Sequence, residues 1–244
     1  MRRKISIVLK FLIGAFALVG VVVACFFATR DGYSHWHKRL FYFTQQSNLW
    51  IGVTSLIVGI MYVIENVKKK KIVKDYWHVL RFVFTVSITI TGIIFCCLLA
   101  PFAGEDYNAW SFSSFATHVF VPLFSIADLF VDNCEFVLKK RHIFYSLSPP
   151  IVYFIFALVL GFKNIDFGRG DPFPYFFLDF KSDAGLFGFV DGNPPMIGSF
   201  YWIILISLMV MGLSYLYYRL HPATRLYIKQ KRAEAKNIDE NKKD

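Results

Sequence analysis

The residues of this 244-residue chain best suited to chemistry stand where apolar runs are interrupted. "FYFTQQSNLW", 41 to 50, sets Thr44, Gln45, Gln46, Ser47 and Asn48 between three aromatics and an apolar stretch that continues to Ile64. "WSFSSFATHVFVPLFSIADLF" places His118 in another apolar run, with Ser114 four residues before it and Asp128 ten after it. A threonine hydroxyl is a weak nucleophile near neutral pH. An imidazole within hydrogen-bond reach takes its proton during attack on an ester carbonyl and returns one to the leaving alcohol. Asn48 or the amides of Gln45 and Gln46 are then donors for the developing oxyanion. Two plainer readings stand beside this one: Thr44 hydrogen-bonds back to the carbonyl of Leu40, and His118 is a structural bridge between helices.

For the pair to meet, the elements that carry them must run side by side at one depth. The chain is 56% hydrophobic and 18% charged with 28 Phe, a balance ill suited to a water-exposed surface. Six apolar segments, at about 5–28, 40–64, 78–101, 113–133, 143–162 and 197–219, match the roughly 20 residues that cross a bilayer. Lipid offers no partner for backbone groups, so these are expected to be helices. The fold class is therefore an all-α membrane bundle of six transmembrane helices over 1–222, followed by a basic tail over 223–244. "MRRK" precedes an apolar stretch longer than a signal-peptide core, so the first segment is read as a retained helix.

Of the 27 basic residues, 19 fall on the side holding both termini and six on the other. That asymmetry puts the N and C termini in the cytoplasm, and anionic lipid accounts for the +10 charge without nucleic acid. Helices 2 and 4 then both enter from outside. Thr44 lies roughly 6 Å deep and His118 roughly 8 Å. Ser47 and Asn48 share the face of Thr44, while Gln45 points about a quarter turn away. Ser114, Asn108 or an aspartate of the long loop could orient His118.

Asp128 is about 15 Å along the axis from His118, too far to serve it. Arg81 stands at a similar depth, and a structural Arg81–Asp128 ion pair is expected, with proton handling as the other reading. Thr85, Thr89 and Gly92 continue from Arg81 as a helix contact. Pro122, Pro149 and Pro150 should bend their helices. Cys25, Cys96, Cys97 and Cys134 follow no disulfide or metal spacing and are expected to pack in the interior. His78, His142 and His221 read as interface residues, and "HWH" at 35 to 37 lacks the further ligands of a metal site. The outer loop, 163–196, is rich in Gly, Pro and aromatic residues and should lie over the bundle.

Four stretches in order carry a resemblance: "YFTQQSNLW", "LRFVFTVSITITGIIFCCLLAP", "HVFVPLFSIAD" and "PFPYFFLD". Over Tyr42 to Asp179 the chain resembles a bacterial group of small six-span membrane proteins. That group is similar, more remotely, to the androgen-induced protein family of animals, multi-span threonine hydrolases that cleave fatty acid esters of hydroxy fatty acids. The resemblance implies Thr44 as nucleophile and His118 as its base, and beside them the aromatic loop around Tyr175 is read as guiding acyl chains. Gln45, Ser47, Asn48 and Ser114 are read from their positions as oxyanion or substrate contacts, and the activity expected is lipid ester hydrolysis or acyl transfer in the cell membrane. Membrane lipids and an acyl-chain substrate are the expected partners, and neither a cofactor nor a metal is called for. The rival reading is a small-solute transporter or sensor using the same polar cluster, though no inverted repeat is visible.

Overall fold

The computed structural model describes residues 1–101, 108–132, 134–170, 172–191 and 196–240, the side chains of 196 and 235–240 excepted. Six helices are long and apolar enough to cross a membrane: α1 (Arg2–Phe26), α2 (Phe43–Lys68), α3 (Asp75–Leu99), α4 (Phe112–Val131), α5 (Arg141–Phe162) and α6 (Ser199–Leu220). A further helix, α7 (Pro222–Glu240), is strongly polar. The only sheet among the described residues is a two-residue antiparallel pair, β1 (Phe189–Val190) with β2 (Met196–Ile197), inside the long loop.

Burial is distributed as lipid demands. Val22, Leu123, Ile155 and Leu208 are exposed around the bundle, whereas Ser6, Lys10, Asn48, Ser87 and Asp128 are buried within it. Water would reverse that arrangement; a hydrocarbon solvent favours it. The protein is thus a multi-pass membrane protein. Six crossings leave both termini at one end, which also holds the lysine-rich 68–74 connection and is called here the basic end; the other is the loop end.

Small residues let the first two helices touch. A Cβ on Gly14 would fall 2.3 Å from Leu56, and one on Gly52 would fall 2.8 Å from the Cβ of Ala17, so α1 and α2 approach closely along this seam. Helix α5 is broken near Ser146 and Leu147, because Pro149 and Pro150 open its second part and cannot donate backward. Described parts of the long loop are pinned at Asp166 and Phe173. Lys38 Nζ donates to the Asp166 carbonyl at 2.7 Å, and Phe173 seats against Gly161, where a Cβ would come within 2.5 Å of its ring.

Two expectations need correction. Cys96 and Cys97 are exposed on the outside of the bundle, since in lipid the apolar side chain gains as much outside as inside. His142 and His221, by contrast, are buried within the protein rather than lying at an interface with lipid.

Candidate functional site

Proline chemistry sets up the histidine. Pro122 has no N–H to give the carbonyl four residues earlier, which is that of His118 itself. Helix α4 answers with a π-helical turn over Ala116–Phe120, the kind of local widening that recurs at functional sites. Helix α3 carries a matching π turn, Phe95–Leu99, and the Phe95 ring stacks on the His118 ring at 3.7 Å and 14°.

Gly92 lets α3 close on this region. A Cβ there would lie 2.9 Å from the His118 carbonyl oxygen, a backbone atom that cannot swing aside. Gly92→Ala is expected to cost about 1–3 kcal/mol of stability through overpacking. It should also disturb the His118 turn while leaving every polar residue in place. Thermal unfolding in detergent checks this, with Gly212→Ala, whose Cβ would meet open space, as the control.

The threonine and the histidine meet. Thr44 Oγ1 lies 3.3 Å from His118 Nε2, both side chains buried. On the far side of the ring, Nδ1 is 2.9 Å from the Ser114 carbonyl oxygen. A carbonyl only accepts, so Nδ1 carries the proton, and Nε2 is left with a lone pair facing the hydroxyl. That is the tautomer a general base requires. The hydroxyls of Ser114 and Thr117 also stand 3.3 Å from Nδ1. Ser114 therefore orients the histidine, chiefly through its backbone, and the Leu40 carbonyl accepts from the Gln46 side chain instead of from Thr44.

The neighbouring amides divide their tasks. Asn48 Nδ2 donates to the Thr44 carbonyl at 2.8 Å and to the Thr117 carbonyl at 3.1 Å. Both amide hydrogens are then spent, so Asn48 is a strut between α2 and α4 and has none left for an oxyanion. Ser47 does similar work, bonding the Thr44 carbonyl at 3.1 Å and Thr91 Oγ1 at 3.0 Å. Thr44 is thus anchored through its own carbonyl while its hydroxyl stays with the histidine.

Two cavities approach this pair from different sides. One is an apolar cleft of about 110 Å³, bordered by Thr44, Phe43, Ile90, Tyr153, Tyr175 and Ile206 among others. The other is a polar vestibule of about 920 Å³ at the loop end, bordered by His118, Gln45, Arg30, Arg39 and Arg169. The Thr44–His118 bond therefore links a residue lining the greasy space to one lining the wet space. Arg39 pairs with Asp31, and Arg169 donates to the Asp31 carbonyl at 2.9 Å, which fixes the charged rim.

Tyrosines complete the cleft. Tyr175 stacks on Phe177 at 4.9 Å and meets Tyr42 edge-on at 5.8 Å. Burial pushes its phenol up to about 12, and the adjacent Thr44 hydroxyl and amide hold it from rising further. Tyr153, which the sequence reading passes over, lines the same cleft with a buried hydroxyl set beside the Phe43 backbone and the Tyr175 phenol. The signal was available: a tyrosine in the span "SPPIVYFIFALVLGF" needs somewhere to put its O–H.

At the basic end lies a second polar assembly. Arg81 forms an ion pair with Asp128. Lys10, fully buried, joins them with its Nζ 3.0 Å from Asp128 Oδ2 and 2.9 Å from Asp132 Oδ2. Ser6 Oγ donates to Asp128 at 2.6 Å, and Tyr62 donates to Asp132 at 2.9 Å. Two cations thus face two carboxylates. Neither Lys10 nor Asp132 figures in the sequence reading, although Lys10 interrupts the first apolar run and Asp132 follows Asp128 by one helical turn.

No family model, curated protein or solved structure matches the chain.

Proposed function

We propose that this protein is an intramembrane threonine hydrolase or acyl transferase acting on a lipid ester, such as a fatty acid ester of a hydroxy fatty acid. The observation that carries the reading is the Thr44 Oγ1 to His118 Nε2 approach of 3.3 Å at the partition between apolar cleft and polar vestibule. An amphiphilic ester fits such a divide, with its hydrocarbon in the cleft and its polar end among the arginines. By the excess of basic residues at the end holding the termini, that end is cytoplasmic and the site opens outward from the cell membrane.

In the first half-reaction Thr44 Oγ1 bonds to the carbonyl carbon as its proton passes to His118 Nε2. The ester C–O bond then breaks, and the imidazolium returns the proton to the leaving alkoxide. Water, or the hydroxyl of a second lipid, attacks the acyl-threonine with His118 again as base, and Thr44 leaves reprotonated. Tyr175 and Tyr153 supply O–H donors to the oxyanion from the cleft side. Tyr175→Phe is therefore expected to lower turnover about 10²-fold, the loss typical of one such donor, with little change in thermal midpoint.

A transport reading would use Asp128 as a titrating carrier, but that carboxylate is held by Lys10, Arg81 and Ser6. The deciding experiment is covalent labelling of the purified protein by a fluorophosphonate bearing a long alkyl chain. Labelling of the wild type that disappears in Thr44→Ala supports the hydrolase. Labelling that persists in Thr44→Ala, or that never occurs in folded wild type while long-chain esters also go uncleaved, overturns it.

A further inference from the structure

The basic end carries a cluster that the hydrolase chemistry does not use. His78 in the first turn of α3, and Asp132 and Cys134 just past the end of α4, each offer a ligand atom. These atoms all lie within 4.8 Å of one another. Among the described residues this is the only such trio of His, Cys and carboxylate groups. His221, immediately after α6, adds a fourth: its Nε2 is 3.9 Å from Cys134 Sγ. We propose that His78, Asp132, Cys134 and His221 form a tetrahedral zinc site that ties the basic ends of α3, α4 and α6 together.

The donor set suits that ion. One thiolate, two imidazoles and a carboxylate are all ordinary zinc ligands, and bonds of ~2.0–2.3 Å place them roughly 3–4 Å apart. The His78, Asp132 and Cys134 donors lie within 4.8 Å of one another and His221 Nε2 lies 3.9 Å from Cys134 Sγ, so binding requires the four to draw in around the ion. A cavity of about 20 Å³ is bordered by all four residues, room for one water-sized occupant.

The surroundings hold the ligands as metal sites commonly do. Thr224 Oγ1 lies 3.1 Å from His221 Nδ1, which leaves Nε2 directed to Cys134. Tyr62 and Lys10 hold the Asp132 carboxylate. Partners that fix the far side of each ligand are as much a part of such sites as the ligands themselves. A wider cavity of about 310 Å³ shares His78 and Cys134 with the small one and reaches Glu65, Glu135 and Lys70, so an ion has a route in.

Charge does not bar a cation here. Lys10 and Arg81 are already matched by Asp128 and Asp132. Zinc binding would release the Cys134 proton to solvent and add a thiolate. Arg81, whose Nε and Nη1 have no hydrogen-bond partner among the described residues, borders the same small cavity, and its charge favours that thiolate.

The test uses the full chain, purified in detergent and stripped with chelator, with Co²⁺ as the spectroscopic probe and Zn²⁺ as competitor. One Co²⁺ per chain should bind with a near-ultraviolet thiolate-to-cobalt charge-transfer band and the visible bands of a tetrahedral ion, and Zn²⁺ should erase both. Cys134→Ser should lose the charge-transfer band, and Cys25→Ser should keep it. His221→Gln should weaken Co²⁺ binding at least about tenfold. Should Cys134→Ser fail to fold, His221→Gln and the Zn²⁺-dependent rise in wild-type thermal midpoint decide the matter. Monodisperse wild type that gives no charge-transfer band, or a band that survives in folded Cys134→Ser, overturns the site.

Discussion

Thr44→Ala is expected to abolish fluorophosphonate labelling and to cut hydrolysis of a long-chain ester roughly 10³-fold or more, while the thermal midpoint stays close to wild type. The size of the effect follows from the geometry. Thr44 Oγ1 is the hydroxyl at 3.3 Å from a histidine nitrogen whose partner nitrogen is committed to a carbonyl. Removing it leaves a base with nothing to deprotonate. His118→Gln should lose about 10²–10⁴-fold, the usual contribution of a general base. The double variant should be little worse than Thr44→Ala alone, because residues that act as one unit are not additive. Structural damage is expected to be slight in the alanine variant, since Asn48 and Ser47 hold Thr44 by its backbone carbonyl rather than its side chain. Equal loss from Thr44→Ala and Asn48→Ala, with unfolding in both, would show that the cluster serves packing alone.

The second large effect concerns stability. Lys10→Met is expected to destabilise the protein by about 3–5 kcal/mol, the range for removing one partner of a buried ion pair. Lys10 and Asp128 are both 0% exposed, and Lys10 Nζ serves Asp128, Asp132 and Ser6 together. Without it two carboxylates share the single Arg81. The double variant Lys10→Met/Asp132→Asn leaves Arg81 opposite Asp128, one charge against one, and should lose less than the two single changes summed. Thermal unfolding in detergent across the four proteins of that cycle measures the coupling. A loss below about 1 kcal/mol for Lys10→Met, of the order seen for exposed pairs, would mean that water reaches the network.

The legible parts of the sequence were those governed by local rules. Each helix was visible as an apolar run, and the starts of α2 and α4 lie within three residues of where composition puts them. That Thr44 and His118 share a depth follows from counting residues along two helices that run the same way. Whether they touch does not, because depth leaves rotation open. The π turn at Ala116–Phe120, caused by Pro122 and accommodated by Gly92, sets that rotation. Asn48 shows the limit from the other side: its amide looked available until two carbonyls were found to take its hydrogens.

Lys10 and the His78, Asp132, Cys134 and His221 group were harder to see for a related reason. Apart from Asp132 and Cys134, two residues apart, their members come from segments far apart in the chain, and no spacing links those segments. Arg81 and Asp128 could be paired by depth alone, but the lysine and aspartate that complete the network needed helix α1 to be placed against α4.

By itself, then, the sequence determined the solvent this protein folds in, the number of its crossings and the level of each polar group, because hydrophobicity and helical rise act residue by residue. Tertiary structure alone decided which polar groups face one another. Hydrogen bonds and ion pairs act over about 3 Å, and only close packing of helices about their axes brings distant side chains within that reach.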